Sequence, residues 1–336
     1  MNILITGATG FIGRALTKRL LEGGSDKVII LARRIDKLEK TIKDRAEVFE
    51  VDLGKSDALS GLSARLPDID TVFHLAANLD FYGPPRLLLP VNLKATIDLF
   101  RLAKAKGAKK FIFSSSIEAM GPVTKEDIPA DESYPLRPVS SYGQSKLLAE
   151  KALLKLSKES GIGLVILRLG NVYGPPRPDF IIPLANALLK RDLFFHLSAA
   201  FQGRYIHPLF ISDAVEGIMQ AMKNDSVQGV YIVAGEEYVT VGKLLELILR
   251  ELGIETELPS AVSFASKEFL RLRQRFLRIL HWADLLGYLY AGRKDYIHRA
   301  FSIEKARTLL NFSPKVNLRQ GIALTLEWAT KERLLP

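Results

Sequence analysis

The 336-residue sequence contains no cysteine. Disulfide frameworks, thiol nucleophiles and cysteine-ligated zinc are thereby excluded, and the composition suits a reducing compartment. Histidine is scarce, with five in the chain. None falls in an H-E-x-x-H pattern or at metal-ligand spacing, so no metal is expected. His74 reads as a residue at the sheet edge, His207 as structural beside Pro208, and His281 as packed beside Trp282. No uninterrupted apolar run is long enough to cross a bilayer. Met1 leads straight into an apolar strand, so no leader is expected ahead of the fold and a cytoplasmic location is the expectation. There is no internal repeat, no zinc-finger spacing and no RNA-recognition signature. Nucleic acid is therefore not an expected partner, although the net charge is +10, and the excess of lysine and arginine reads as a solvated basic surface.

What is present is an ordinary globular balance, 48% hydrophobic and 25% charged, in a chain long enough to bury a full core. The first half alternates two kinds of segment. NILIT, KVIILA, AEVFEVDL, TVFHLAA, KKFIFSSS and GLVILRLG are short, apolar and β-branched. Between them lie stretches of helical period, including FIGRALTKRLLEGG, residues 86–106 and SSYGQSKLLAEKALLKLSKES. Strands that read as apolar throughout are buried on both faces, and their alternation with helices implies right-handed crossovers in a parallel sheet. The predicted fold class is α/β: a Rossmann-type doubly wound parallel sheet with a smaller C-terminal substrate-binding lobe. The first domain is placed at 1–174 and the lobe at 175–336. Segments near 205–235 return to the core, with GVYIVAG at 229–235 as a late strand.

Two stretches carry chemistry. In MNILITGATGFIGRAL a strand runs into Gly7, Gly10 and Gly13, with Thr9 where the G-x-G-x-x-G fingerprint has its middle glycine. Glycine permits positive φ and close approach, and a helix opening directly after such a turn aims free N–H groups and its dipole at an anion. In YGQSK, Tyr142 and Lys146 stand at i and i+4, on one face of a helix. A tyrosine ordinarily ionises near pH ~10, and a neighbouring ammonium favours the phenolate, so such a pair can act as a general acid/base. Ser114, Ser115 and Ser116 end a strand at the same sheet edge, where a hydroxyl can hold a substrate oxygen.

GATGFIG, Asp52-Leu53, HLAA at 74–77, SSS at 114–116, YGQSK at 142–146 and RLGNVYGPP at 168–176 occur in one order. In that order they resemble the extended short-chain dehydrogenases/reductases, the superfamily of NAD(P)-dependent epimerases/dehydratases and 3β-hydroxysteroid-dehydrogenase-like enzymes. The resemblance covers about residues 1–235. It implies that Gly7, Thr9, Gly10, Phe11 and Ile12 lie along the cofactor pyrophosphate, and that Asp52 and Leu53 flank the adenine. Leu75, Ala76 and Ala77 would run behind the cofactor, with Ser114, Gly170 and Val172 near the nicotinamide. Tyr142 would be the acid/base. Lys146 would bind the nicotinamide ribose and lower the tyrosine pKa, Ser116 would orient the substrate oxygen, and Asn92 would support the lysine. Phe81, Tyr82, Asn171 and Arg204 are expected around the substrate. The second strand ends in LARR, where an acidic residue would select NAD; Arg33 and Arg34 can instead grip a 2′-phosphate. NADP(H) is the expected cofactor, with NAD(H) as the alternative.

For the substrate, SFASKEFLRLRQRFLRILHWADLLGYLY is rich in apolar and aromatic residues. Phe269, Leu272, Phe276 and Leu280 share one helical face, with Arg271, Arg275 and Arg278 on another. The expectation is redox at an alcohol or ketone of an apolar, hydroxysteroid-like small molecule. Residues 264–290 are the candidate for peripheral contact with a membrane surface. The alternatives are a nucleotide-sugar epimerase/dehydratase and a non-catalytic NAD(P)-sensing protein. The resemblance also implies a homodimer through residues 88–106 and 140–160.

Overall fold

The computed structural model describes residues 1–24, 26–178, 180–191, 202–258 and 298–336. Six strands stand where the apolar runs predict them: β1 (Asn2–Thr6), β2 (Lys27–Ala32), β3 (Glu47–Glu50), β4 (Thr71–His74), β5 (Lys110–Ser116) and β6 (Gly163–Leu169). Short strands follow as β7 (Asn171–Tyr173), β8 (Tyr205–Ile206) and β9 (Pro208–Phe210), then β10 (Gly229–Val233) and β11 (Val239–Thr240). The main sheet has the order β10-β6-β5-β4-β1-β2-β3, and all its pairs are parallel. Chain direction across the sheet reverses between β1 and β4, which is where an open parallel sheet parts at its carboxyl ends to admit a ligand.

Helices cover both faces. Helix α1 (Phe11–Glu22) is followed by the single turn α2 (Lys40–Lys43); α3 (Pro85–Leu89) and α4 (Ala95–Ala105) are joined by a π turn at Pro90–Lys94; and α5 spans Ser141–Ser160. Beyond β7 come α6 (Ile181–Lys190), α7 (Ile211–Lys223), α8 (Val241–Glu251), α9 (Glu304–Leu310) and α10 (Leu318–Lys331). One face of the sheet packs Leu16, Leu20, Ile218 and Leu310 from α1, α7 and α9. The other packs Leu99, Phe100, Ala149 and Leu153 from α4 and α5. A separate core of Leu184, Leu188, Leu245, Ile248, Ile322 and Leu326 joins α6, α8 and α10 into the outer lobe.

The chain crosses between these bodies more than once. Within residues 208–233, β9 pairs with β7 in a separate two-stranded sheet, and β10 returns to the main sheet beside β6. The carboxylate of Asp213 in α7 accepts the backbone N–H groups of Lys315 (3.0 Å) and Val316 (3.1 Å), fastening the approach to α10. Lys110 donates to the carbonyls of Ala221, Met222 and Asn224, satisfying the end of α7. Residues 298–302 run beside 123–130, with Val123 N donating to His298 O (3.0 Å) and Ser302 N to Ala130 O (2.8 Å). The apolar segment 264–290, with His281, lies outside the described residues.

Candidate active site

The glycine turn is tight for a steric reason. Gly7 has φ +80°, Gly10 N donates to Gly7 O at 2.8 Å, and a Cβ on Gly13 would stand 2.1 Å from the Gly7 carbonyl oxygen. The first turn of α1 therefore sits against the strand end. Gly10 caps α1 without a side-chain hydrogen bond, and no acidic residue occupies the first turn. The orphan N–H groups and the positive end of the helix dipole are left for an anion, which is the property a dinucleotide pyrophosphate needs.

Above this turn opens a cleft of about 580 Å³. Gly7, Thr9, Gly10, Phe11 and Ile12 line its floor, and Arg33, Asp52 and Leu53 line one end. Leu75, Ala76 and Ala77 form a wall, while Ser114, Ser116, Tyr142, Lys146, Gly170 and Val172 close the other end. Six predicted site residues do not line it. Arg34 turns to Asp36 instead, with Nε–Oδ1 at 2.9 Å and Nη2–Oδ2 at 2.7 Å. Asn92 is buried behind the wall, Phe81 packs its ring on Tyr142 at 5.0 Å, and Tyr82 is exposed. Asn171 lies off the cleft with its Oδ1 buried and unpartnered, and Arg204 is buried in the outer lobe beside His298. The resemblance marks such residues as near the site and says nothing of which way they turn.

Asn78, Leu79, Val91 and Arg177 line the cleft without having been singled out. Asn78 and Leu79 directly continue HLAA, a usable signal. Arg177 sits in the GPPRP segment with its guanidinium 5.5 Å from the Phe11 ring centroid, a contact nothing local in the sequence reveals.

At the tyrosine end, Ser140 caps α5 by accepting from Gly143 N at 3.0 Å. Position 143 has to be glycine, since a Cβ there would lie 2.3 Å from the Glu118 carbonyl oxygen. That close approach brings the first turn of α5, and Tyr142, against the segment after β5. Lys146 is buried and donates to Ser114 O at 2.6 Å, with Nζ 4.4 Å from the Phe113 ring centroid. Burial brings its pKa down to about 7, with Glu150 opposing. The tyrosine departs from expectation. Burial and then the Glu118 carboxylate push the phenol above its ordinary range, against a hydrogen bond from Ser116. Lys146, 5.9 Å from the Tyr142 ring centroid, does not bring the phenol down in this state of the site.

Asn92 acts through a buried relay. Its amide donates to Asn78 O (2.9 Å) and Ser145 Oγ (2.8 Å), and its carbonyl accepts from Asn78 N (2.7 Å). Ser145 in turn donates to Tyr142 O at 2.7 Å. Behind it, Thr96 donates its hydroxyl hydrogen to Asn92 O and so must accept from Nε2 of His74. Thr6 then donates to His74 Nδ1. Complete burial holds His74 neutral, its pKa near 3. This histidine ends β4 at the carboxyl edge of the sheet, fully buried within a central strand. A second buried group ties Ser115, Glu150 and Arg168 together beside Lys146, with Arg168 Nη2–Glu150 Oε2 at 2.7 Å. Among the described residues no group of side chains suits a metal ion.

The family model of the NAD-dependent epimerase/dehydratase family matches residues 3–234. The chain belongs to this family. Its Rossmann-type sheet, glycine turn and Tyr–Lys helix all lie within the matched residues, and it is an enzyme of that superfamily. A putative UDP-glucose 4-epimerase of Methanocaldococcus jannaschii is 25% identical over 338 residues, covering 97% of each chain. A dihydroflavonol 4-reductase of Callistephus chinensis is 29% identical over 306 residues, 82% of each. Among solved structures, the UDP-glucose 4-epimerase of Thermotoga maritima, determined with UDP-glucose, shares the fold with a TM-score of 0.76 at 23% identity, over 99% of this chain and 100% of that one.

Proposed function

We propose that this epimerase/dehydratase-family enzyme moves hydride between a nicotinamide cofactor and a secondary alcohol carbon of a nucleotide-linked sugar. The observation that carries the reading is the convergence of Ser116, Tyr142 and Lys146 on a cleft whose far end is an uncapped glycine turn. NAD(P)⁺, held along the glycine turn and the Leu75–Ala77 wall, would supply the hydride acceptor and a positive charge. Tyr142 takes the alcohol proton as the hydride leaves carbon and returns it on reduction. Ser116 holds the substrate oxygen, and Lys146 and Asn78 hold the cofactor side. Burial of Tyr142 and Lys146 removes competing water and would let the charge of a bound cofactor act at low dielectric.

The sugar reading rests on the full-length likeness to an enzyme named as a UDP-glucose 4-epimerase, and it replaces the hydroxysteroid-like substrate as the favoured class. A second reading, reduction of an apolar ketone, is favoured by the 29% identity to a dihydroflavonol reductase over 306 residues. For the cofactor, Arg33 lines the cleft at the end of β2 with an exposed guanidinium, which supports NADP(H) over NAD(H); Arg34, paired with Asp36, gives no such support. The test begins with fluorescence titration by NADH and NADPH. UDP-glucose and UDP-glucuronate are then assayed against flavonoid and hydroxysteroid ketones. Turnover of the nucleotide sugars is the expected result. Turnover confined to apolar ketones would install the second reading, and absence of turnover on every substrate would overturn both.

A further inference from the structure

The mechanism above leaves the buried Glu118–Arg299 ion pair unused. Glu118 and Arg299 are 7% and 8% exposed, and they meet in two parallel hydrogen bonds, Nε–Oε1 at 2.9 Å and Nη2–Oε2 at 3.1 Å. The two residues lie 181 positions apart. A desolvated bidentate pair at such separation is costly to assemble and is a weak device for stability alone.

Its location gives it another use. Glu118 sits in a short 3₁₀ turn, Ile117–Ala119, that immediately follows Ser116. Its backbone N–H donates to Ser116 Oγ at 3.1 Å. This occupies a lone pair of that hydroxyl and leaves its hydrogen for the Tyr142 phenol. The Glu118 carboxylate accepts from Ser140 Oγ at 3.4 Å, and Ser140 is the cap of the helix that carries Tyr142. The Glu118 carbonyl is also the atom against which Gly143 closes. One residue thus touches the hydroxyl, the cap and the first turn of the tyrosine helix. Arg299 is delivered by the 298–302 segment, where its own N–H donates to Tyr205 O at 2.8 Å.

We propose that Glu118, clamped by Arg299, is a positioning residue for the acid/base step: it sets the Ser116–Tyr142 geometry and places a fixed negative charge beside the phenol. The proposal rests on the redox reading of the same site. The groups facing the phenol are Lys146 on its own helix, the Ser116 hydroxyl at the end of β5, Glu118 on the 3₁₀ turn and the Phe81 ring. Glu150 stands behind Lys146, Arg299 behind Glu118, and Arg177 lines the cleft at its glycine end. The Glu118 carboxylate opposes ionisation of the phenol, and Lys146 does not offset it in this state of the site.

The test reads Tyr142 directly, without turnover. Protein labelled with ¹³C at tyrosine Cζ is saturated with NAD⁺, and the Tyr142 resonance is assigned by its loss in Tyr142→Phe. Glu118→Gln is expected to move the titration of that resonance to lower pH by about one unit, the scale of losing one nearby like charge. Arg299→Lys, which keeps the cation, is expected to keep the wild-type midpoint. If Glu118→Gln fails to fold, the double variant Glu118→Gln/Arg299→Gln removes both charges and carries the same expectation. A titration identical to wild type in the charge-removing variant overturns the proposal. Failure of the redox reading shows up separately, as absence of turnover in wild type with the Tyr142 shift still present. Where turnover exists, the ascending limb of kcat against pH moves with the resonance.

Discussion

The two ends of the cleft are held in place in different ways. At the glycine end everything needed comes from one strand, one turn and one helix: Gly7, Gly10 and the N-terminus of α1 lie within a few residues, and contact between neighbours in sequence shapes the site. At the tyrosine end the parts come from β5, α5, the π turn at Pro90–Lys94 and residue 299. That end is assembled by buried polar contacts over long range, and its chemistry depends on their geometry. The glycine end should therefore tolerate changes far away and fail through local ones. The tyrosine end should be sensitive to residues that touch neither substrate nor cofactor.

The largest expected effect is on the chemistry itself. Tyr142→Phe is expected to lower kcat by about 10³-fold, roughly 4 kcal/mol of transition-state stabilisation, while cofactor affinity by fluorescence titration stays near wild type. A variant that keeps most of its turnover would remove the tyrosine from the mechanism. The glycine end is broken next. Gly13→Ala puts a methyl where the Gly7 carbonyl oxygen stands 2.1 Å away, and backbone cannot swing aside as a side chain can. About 3 kcal/mol of stability should be lost in denaturant unfolding, the upper range for overpacking, together with most NAD(P)H binding.

A third change separates the two ends. Asn92→Ala removes three hydrogen bonds that hold Asn78 and Ser145 and leaves their partners buried. The expected cost is about 2 kcal/mol in denaturant unfolding, with kcat falling more than the cofactor Kd rises. Equal losses in both would mean that Asn92 supports the cofactor wall and not the tyrosine helix, and the contrast between the ends would weaken.

This contrast also accounts for what the sequence disclosed. The sheet strands are covered on both faces, so each reads as an unbroken apolar run, and the glycine turn is a local motif. Tyr142 and Lys146 could be read as a helical i, i+4 pair and the serines as a strand end, while the choice of Ser116 among the three rests on the resemblance. Glu118 carries no such mark: it follows Ser116 by two residues and looks like any solvated glutamate until Arg299 is placed on it. Asp213 accepts the Lys315 and Val316 N–H groups, a tertiary task that no local pattern reveals. Arg34 shows the opposite failure. Its position beside Arg33 suggested a shared task, and a bidentate contact with Asp36 two residues on takes it elsewhere.

That last pair yields the smallest and most discriminating prediction. Arg33 lines the cleft, whereas Arg34 is held against Asp36 on the exposed surface. If Arg33 receives a 2′-phosphate, Arg33→Ala should weaken NADPH binding about tenfold relative to NADH, the scale of one charge-assisted contact reduced by solvent screening. Arg34→Ala should leave the preference between the two cofactors unchanged, because the guanidinium is already paired and exposed ion pairs contribute little. The comparison of the two variants matters more than either value. Equal losses from both would mean that Arg34 leaves Asp36 when the cofactor enters, and that the arginine pair acts as one basic patch. Loss from neither would remove the 2′-phosphate contact and make NAD(H) the cofactor that the adenine end selects. Raising the salt concentration sharpens the distinction: a contact made through Arg33 at the cleft should decline with ionic strength for NADPH more steeply than for NADH.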